Sequence, residues 1–326
     1  MNPPGPESIY RYWGKYNTEN GLVWHPLVYH CLDVAAVGSE LIRRDPGVFQ
    51  KIAGAVPLRN EYVCSLVTFL LAIHDIGKFS GRFQGINPAL QSHLQGAACR
   101  MPYSHHHTTM GMLVFMREVW PRARDENWFG TDPDEDSYDL EDLILPWIRA
   151  AAGHHGKPVT DSGTFSELFS QMDREAAGEF SRICSDLFLS EAPEEPVRYS
   201  AELHEAFTRV SWLIAGLAVL SDWIGSDAGI FRYHQDVMPL HEYWRRYAVP
   251  RARAAVDAAG VLPSAVTPFP GMASLLPKDA VPTPLQEAAA SYELAGESCL
   301  FIIEDTTGSG KTEAALALTH RLMEHR

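Results

Sequence analysis

The stretch "LLAIHDIGKFS", residues 70–80, decides how this chain is read. An apolar run ends in His74, Asp75 and Lys78, a histidine, a carboxylate and an ammonium within five residues. A buried ionisable group without a partner is costly, so either these groups are incidental or the apolar run exists to carry them inward. In "EYVCSLVTFLLAIHD" the positions Val63, Val67, Leu70, Leu71 and His74 recur at helical spacing. That periodicity predicts a helix with His74 on its core-facing side.

Working outward, "LVYHCLDVAAVGSELIRR" repeats Leu27, Cys31, Val34 and Leu41 at helical spacing and carries His30; Pro46 and Gly47 in "RDPG" stop it. Further helices are expected in "SHHHTTMGMLVFMREVW", in "LPWIRAAAGHHG" and in "LHEAFTRVSWLIAGLAVLSDWIGSD". In the last, Ser211, Ala215, Ala218 and Asp222 form a stripe that lets a neighbouring helix approach the Asp222 carboxylate. Each segment brings ionisable groups to an apolar face. Taken singly, a histidine on such a face is ordinary core. Together, His30, His74, Asp75, a histidine of His105–His107, His154, His155 and Asp222 predict one interior site, where a bound cation removes most of the burial cost.

The donor types bear on the ion. Imidazole and carboxylate without thiolate suit Mn, Fe, Co or Ni better than a closed structural zinc site. Two such ions ~3.5–4 Å apart can hold a phosphate, acidify a water and stabilise a leaving oxygen, so no serine or cysteine nucleophile is needed.

Composition bounds the rest. At 326 residues and 46% hydrophobic content, the chain suits about two soluble globular domains. The runs "LVTFLLAI" and "WLIAGLAVL" fall short of the ~18 apolar residues of a membrane span. "MNPPGPESIY" lacks a signal-peptide pattern, and Cys31, Cys64, Cys99, Cys184 and Cys299 show no CxxC spacing; both fit a cytoplasmic chain with reduced thiols and no membrane partner. Of the net charge of −14, nine carboxylates fall in "DENWFGTDPDEDSYDLED", residues 125–142, expected as a solvated loop. The acidity is therefore weak evidence against a nucleic-acid substrate.

Six prolines in residues 261–286 predict an extended linker. Beyond it, "DTTGSGKT", residues 305–312, has the form of a phosphate-binding loop, with "FIIE" as its strand and "TEAALALTHRLM" as its helix. Gly308 and Gly310 permit close backbone approach, Lys311 would reach phosphates and Thr312 would hold magnesium. Asp305 departs from the usual small residue of the motif.

The order H…HD…H…HH…D resembles the HD-domain phosphohydrolase superfamily. The flanking residues in "HPLVYHCLDVAAVG", "HDIGKFSGRFQ", "AAGHHGKP" and "LSDWIGSD", followed by the linker and phosphate loop, resemble more narrowly the HD nuclease domain of the CRISPR-associated nuclease-helicase of type I systems. The resemblance implies an all-α HD bundle over residues 1–260, a linker over 261–284 and the truncated start of a RecA-like α/β helicase domain over 285–326. It implies that Asp75 bridges two divalent metals, with His30, His74 and Asp222 on one and His154, His155 and His107 or His106 on the other. Lys78 would neutralise a phosphate oxygen, and Asp75, His74 and Lys78 would form the catalytic set.

"PTPLQ" resembles the helicase motif whose glutamine, here Gln286, reads adenine; ATP and Mg would belong to a full-length protein of which this chain is the amino-terminal part, and no ATP hydrolysis is expected from it alone. Single-stranded DNA and the type I surveillance complex are the implied partners, and Arg43, Arg44, Arg82, Arg100 and Lys157 are candidates for a strand path. Two other readings stand beside this one: an HD phosphohydrolase of nucleotides or cyclic nucleotides, and a non-catalytic docking module with a structural metal.

Overall fold

The computed structural model describes residues 6–19, 21–132, 137–157, 159, 163–190, 196–294 and 300–324. They fall into two compact units, Met1–Leu262 and Pro263–Arg326. The first is helical, with one hairpin that the sequence reading did not foresee: β1 (Trp13–Asn17) pairs antiparallel with β2 (Val23–Pro26). Trp13 faces Pro26 and Lys15 faces His25, so Gly14 is an extra residue and β1 is bulged there.

The central helix, α1 (Leu27–Arg44), starts directly after Pro26 and is buried on every face from Leu27 to Ile42, His30, Asp33 and Glu40 included, so these polar groups must find partners inside. It ends at Asp45, whose carboxylate accepts from the N–H groups of Gly47 and Val48 and caps the short helix Pro46–Ile52. Around α1 pack α2 (Asn60–Ala72), the long helix Ala201–Gly225 and the helix Val249–Ala259. Between α2 and that long helix in sequence come α3 (His107–Val114), α4 (Ser137–Ala152) and α5 (Gln171–Phe188); the two helices after them are α6 (Ala201–Gly225) and α7 (Val249–Ala259). Trp147 of α4 donates its indole N–H to the Phe207 carbonyl at 2.7 Å and stacks on the Phe207 ring, which locks α4 to α6.

Close approach of α6 to α1 comes from glycines. A Cβ on Gly225 would lie 3.0 Å from Val34 Cα, and Gly38 sits beside Ser221 Oγ. The expected stripe divides: Ala218 is buried, whereas Ser211 and Ala215 line a groove against α4. The acidic stretch is also not simply a solvated loop. Asp132 is buried with Arg198 at 2.6 Å, and Asp139, Glu141 and Asp142 lie on α4; Asp134, Glu135 and Asp136 lie outside the described residues.

The segments Asn60–Phe79 and Ala201–Gly225 are apolar enough by length and composition to cross a membrane, although their uninterrupted apolar runs are short. The first is mostly buried in the fold. The second turns Trp212 and Trp223 outward, 79% and 76% exposed. The described cysteines, Cys31, Cys64, Cys99 and Cys184, are free; Cys299 lies outside the described residues.

A polar network pins α1 to the segment before α7. His25 Nδ1 accepts from the His234 N–H at 3.2 Å, so its Nε2–H donates to Asp33 at 2.9 Å, and the Tyr243 hydroxyl donates to Asp33 at 3.0 Å. Burial pushes the Asp33 carboxyl up, opposed by these partners. Replacing Tyr243 by phenylalanine is expected to cost about 2 kcal/mol, because a buried acceptor loses one donor. Denaturant unfolding of the metal-free variant checks this.

The second unit holds α8 (Pro284–Ser291) and α9 (Lys311–Glu324), joined through Ala289, Ala314 and Leu318 and flanked by Phe301 and Ile303. The expected strand "FIIE" does not form, and Ile302 is exposed; an isolated extended segment has no ladder in which to place its backbone groups. The proline-rich segment is not free chain throughout, because His320 of α9 is hydrogen-bonded to the Thr267 carbonyl and Glu324 accepts from the Phe269 N–H.

Candidate metal centre

The His74–Asp75 pair does not ride on a helix as the periodicity predicts. α2 ends at Ala72, and both residues stand in the turn that follows, before the 3₁₀ turn Ile76–Phe79. The turn frees the pair from helical spacing and lets both side chains enter one cavity. His74 Nδ1 lies 2.7 Å from the Leu71 carbonyl, so it carries the proton and Nε2 keeps its lone pair. His154 repeats the device: it follows α4 in a turn, with Nδ1 3.2 Å from the Ala151 carbonyl.

Asp75 is at the centre, 1% exposed. Its Oδ2 lies 3.3 Å from His30 Nε2 and 3.5 Å from His74 Nε2. Its Oδ1 lies 3.4 Å from His107 Nε2 and 3.6 Å from His154 Nε2. One carboxylate thus presents each oxygen to a different histidine pair. Asp222, from the C-terminal part of α6, places Oδ1 3.6 Å from His30 Nε2 and 3.9 Å from His74 Nε2, and accepts from Ser226 Oγ.

On the other side, His107 Nε2 and His155 Nε2 are 2.9 Å apart. Two facing nitrogens at that distance need a proton or a cation between them. His106 caps α3 through Nδ1, which faces Thr108, while a ligand atom of its ring stays within 4.8 Å of those of His107 and His155. His107 belongs to two such groups, one with Asp75 and His154 and one with His106 and His155.

The donor set fits a metal. Both ring nitrogens of His30, His74 Nε2 and both Asp75 oxygens are buried without a hydrogen bond of good geometry. Burial lowers the imidazoles, His30 to about 3, His107 to about 2 and His154 to about 4, so they stand neutral with lone pairs available. Burial pushes the Asp75 carboxyl up, but the Lys78 ammonium outweighs it and holds it well below the carboxylate range. Asp222, raised by burial, is likewise held low in this setting. Cys31, next to His30, offers no thiolate, because burial pushes its thiol well up.

Lys78 follows Asp75 by three residues and is ion-paired to Oδ2, with its ammonium 5.5 Å over the Phe83 ring. Burial lowers it and Asp75 raises it further, so it stays charged. The turn is held by Gln84, fully buried, whose amide donates to the carbonyls of Lys78 (2.8 Å) and Trp13 (3.0 Å) and accepts from the Trp13 N–H. Asp173, in the capping box of α5, accepts from the Gly81 N–H and the Tyr12 hydroxyl. Sequence periodicity carries no signal for Gln84 or Asp173, which act across 71 and 92 residues. Of the strand-path candidates, Arg82 is buried and bonded to the Glu167 carbonyl, and Arg44 is paired with Asp257.

The phosphate-loop residues lie in the second unit. Gly308 and Gly310 adopt φ of +84° and +81°, where glycine is needed. Lys311 Nζ donates to the carbonyls of Asp305 and Thr306, and Thr312 follows it in the first turn of α9. Gln286 closes a capping box with Thr283 and donates to the Gly310 carbonyl, so its amide is spent on the loop itself.

Comparison with known proteins places this geometry. CRISPR-associated endonuclease/helicase Cas3 of Escherichia coli (strain K12) is 28% identical over 343 residues, covering 98% of this chain and 37% of that protein. A crystal structure described as a CRISPR-associated protein matches with 26% identity and a TM-score of 0.63, over 98% of this chain and 35% of its own. The crystal structure of the Thermus thermophilus Cas3 HD domain in the presence of Ni2+ shares the fold at 20% identity, with a TM-score of 0.51 over 78% of this chain and 90% of that one. The chain spans about a third of the length of the curated relatives it matches. The family model described as Cas3, HD domain matches residues 13–231, from the bulged hairpin through α6, and the chain belongs to that family.

Proposed function

We propose that the chain is a metal-dependent endonuclease that hydrolyses phosphodiesters of single-stranded DNA. The observation that carries the reading is the buried Asp75, with one oxygen facing His30 and His74 and the other facing His107 and His154. Asp222 and Asp75 with His30 and His74 would hold one divalent ion, of Mn, Fe, Co or Ni type by donor chemistry. Asp75 with His107, His154, His155 and His106 supplies the donors for a second. Such ions acidify water and polarise a phosphoryl oxygen. The chain's own contribution is to keep the imidazoles neutral by burial, to fix the His74 and His154 tautomers through backbone carbonyls, and to set the Lys78 ammonium beside the carboxylate.

The nuclease activity is supported by family membership and by the name of the Escherichia coli relative, an endonuclease/helicase; single-stranded DNA as the substrate is part of the proposal. Recruitment by a type I CRISPR surveillance complex, and supply of the strand by an ATP-driven helicase using the loop around Lys311, extend the same proposal to a longer protein. The domain division into an HD nuclease over residues 1–260, a linker over 261–284 and the start of a RecA-like domain over 285–326 is part of it.

The test is elemental analysis of the purified chain, followed by nicking of circular single-stranded DNA before and after chelation and on re-addition of manganese or nickel. Cutting is expected to vanish on chelation and to return with metal. Turnover of free nucleotides that long single-stranded DNA does not inhibit would favour a small-substrate hydrolase instead. Bound metal without any hydrolysis would favour a structural centre.

A further inference from the structure

One cation near the centre escaped the sequence reading because it arrives on the hairpin. Lys15 follows the bulged Gly14 on β1, and a bulge re-aims the residue beside it. Two contacts fix that strand. Gly14 packs on α1 at His30, where an added Cβ would meet His30 Cβ at 3.0 Å and Leu27 Cα at 3.1 Å. Trp13, on its other side, is clamped by Gln84, the same side chain that holds the Lys78 carbonyl. The two lysine-bearing segments are therefore joined through one buried amide.

The Lys15 side chain is only partly exposed and makes no hydrogen bond or ion pair with any described residue. Burial lowers its ammonium; of the charges that act on it, Asp222, Asp75 and Asp33 oppose this and Lys78 adds to it. Lys78 is paired to Asp75, whereas Lys15, on the strand whose Gly14 packs against His30, has no side-chain partner among the described residues. A partly exposed ammonium without a side-chain partner at such a place is free to take an anion from outside.

We propose that Lys15 is a second phosphate-gripping cation of the centre beside Lys78, binding a phosphodiester of the substrate strand. The proposal rests on the nuclease reading for the identity of the anion. A backbone phosphate is the fitting ligand, because a lysine treats it as a point charge and reads no base.

The test uses the whole chain with Lys15→Gln and Lys15→Arg. Binding of a labelled oligothymidylate to metal-free protein is followed by anisotropy across a salt series. In Lys15→Gln the slope of log Kobs against log[salt] is expected to shrink by about 0.7, the share of one phosphate contact on a single strand. Cleavage kcat/KM is expected to fall about tenfold to a hundredfold, the worth of one charge-assisted hydrogen bond. Lys15→Arg should retain the slope, and metal content should be unchanged or higher in both variants. Equal slopes for the wild type and Lys15→Gln overturn the proposal, as does a loss of bound metal in Lys15→Gln, which would mark a structural role. If the wild type binds the oligonucleotide but never cuts it, the nuclease reading falls, while the slope difference still decides the role of Lys15.

Discussion

Asp75→Asn is expected to empty the centre of metal and abolish cleavage together. The substitution keeps the shape of the side chain but removes the charge and one of the two acceptor oxygens, and each oxygen faces its own histidine pair. Loss of an outer-shell partner typically costs about 10–100-fold in metal affinity, and loss of a ligand shared by both sides should exceed that. A second readout needs no metal. Lys78 is 12% exposed at its side chain and its charge is paired to Asp75, so removing the carboxylate strands a buried ammonium. Breaking a buried pair in this way costs about 3–5 kcal/mol. Denaturant melts of chelated wild type and variant measure it, and equal midpoints would show that the pair does not hold the turn.

Gly77→Ala is expected to have the second-largest effect, although position 77 bears no chemistry. A Cβ there would lie 1.9 Å from the His107 carbonyl oxygen and 2.4 Å from the Gly111 nitrogen, both backbone atoms that cannot swing aside. The first turn of α3 must move, and His107 moves with it. Overpacking of a tight core costs about 1–3 kcal/mol, and here it also draws an imidazole away from Asp75. Gly111, on the other side of the same contact, matters less, since a Cβ on it meets its nearest neighbour, the Gly77 nitrogen, at 3.4 Å, an ordinary contact. Gly111→Ala is therefore the control: near wild-type melting and metal content for it, against loss of both in Gly77→Ala. Equal behaviour of the two variants would refute the packing explanation.

What was legible in the sequence follows from range. The α1 helix, its stop at Asp45–Pro46 and the apolar run of α2 are local patterns, and the structure places them as the periodicity suggests. The gathering of His30, His74, Asp75, a histidine of His105–His107, His154, His155 and Asp222 was legible because each ionisable group ends or rides an apolar segment, and only a common interior satisfies them all; which of the three histidines enters was not. Several things were not legible. The position of His74 off the helix depends on where α2 unwinds, and boundaries are set by tertiary contacts such as the Gln84 clamp. The hairpin that delivers Lys15 has only nine residues in its two strands and a bulge that breaks their alternation. "FIIE" has the composition of a strand, but composition cannot supply a neighbour to pair with.

The carboxylate at the middle has one further consequence. Since His30 and His107 both answer to Asp75, the two halves of the centre are not separate accounts: whatever shifts that side chain for one half shifts it for the other. Deleting residues one at a time across the pair will overstate each share, and double substitutions spanning it will be epistatic. The centre is a single thermodynamic unit hinged on one side chain.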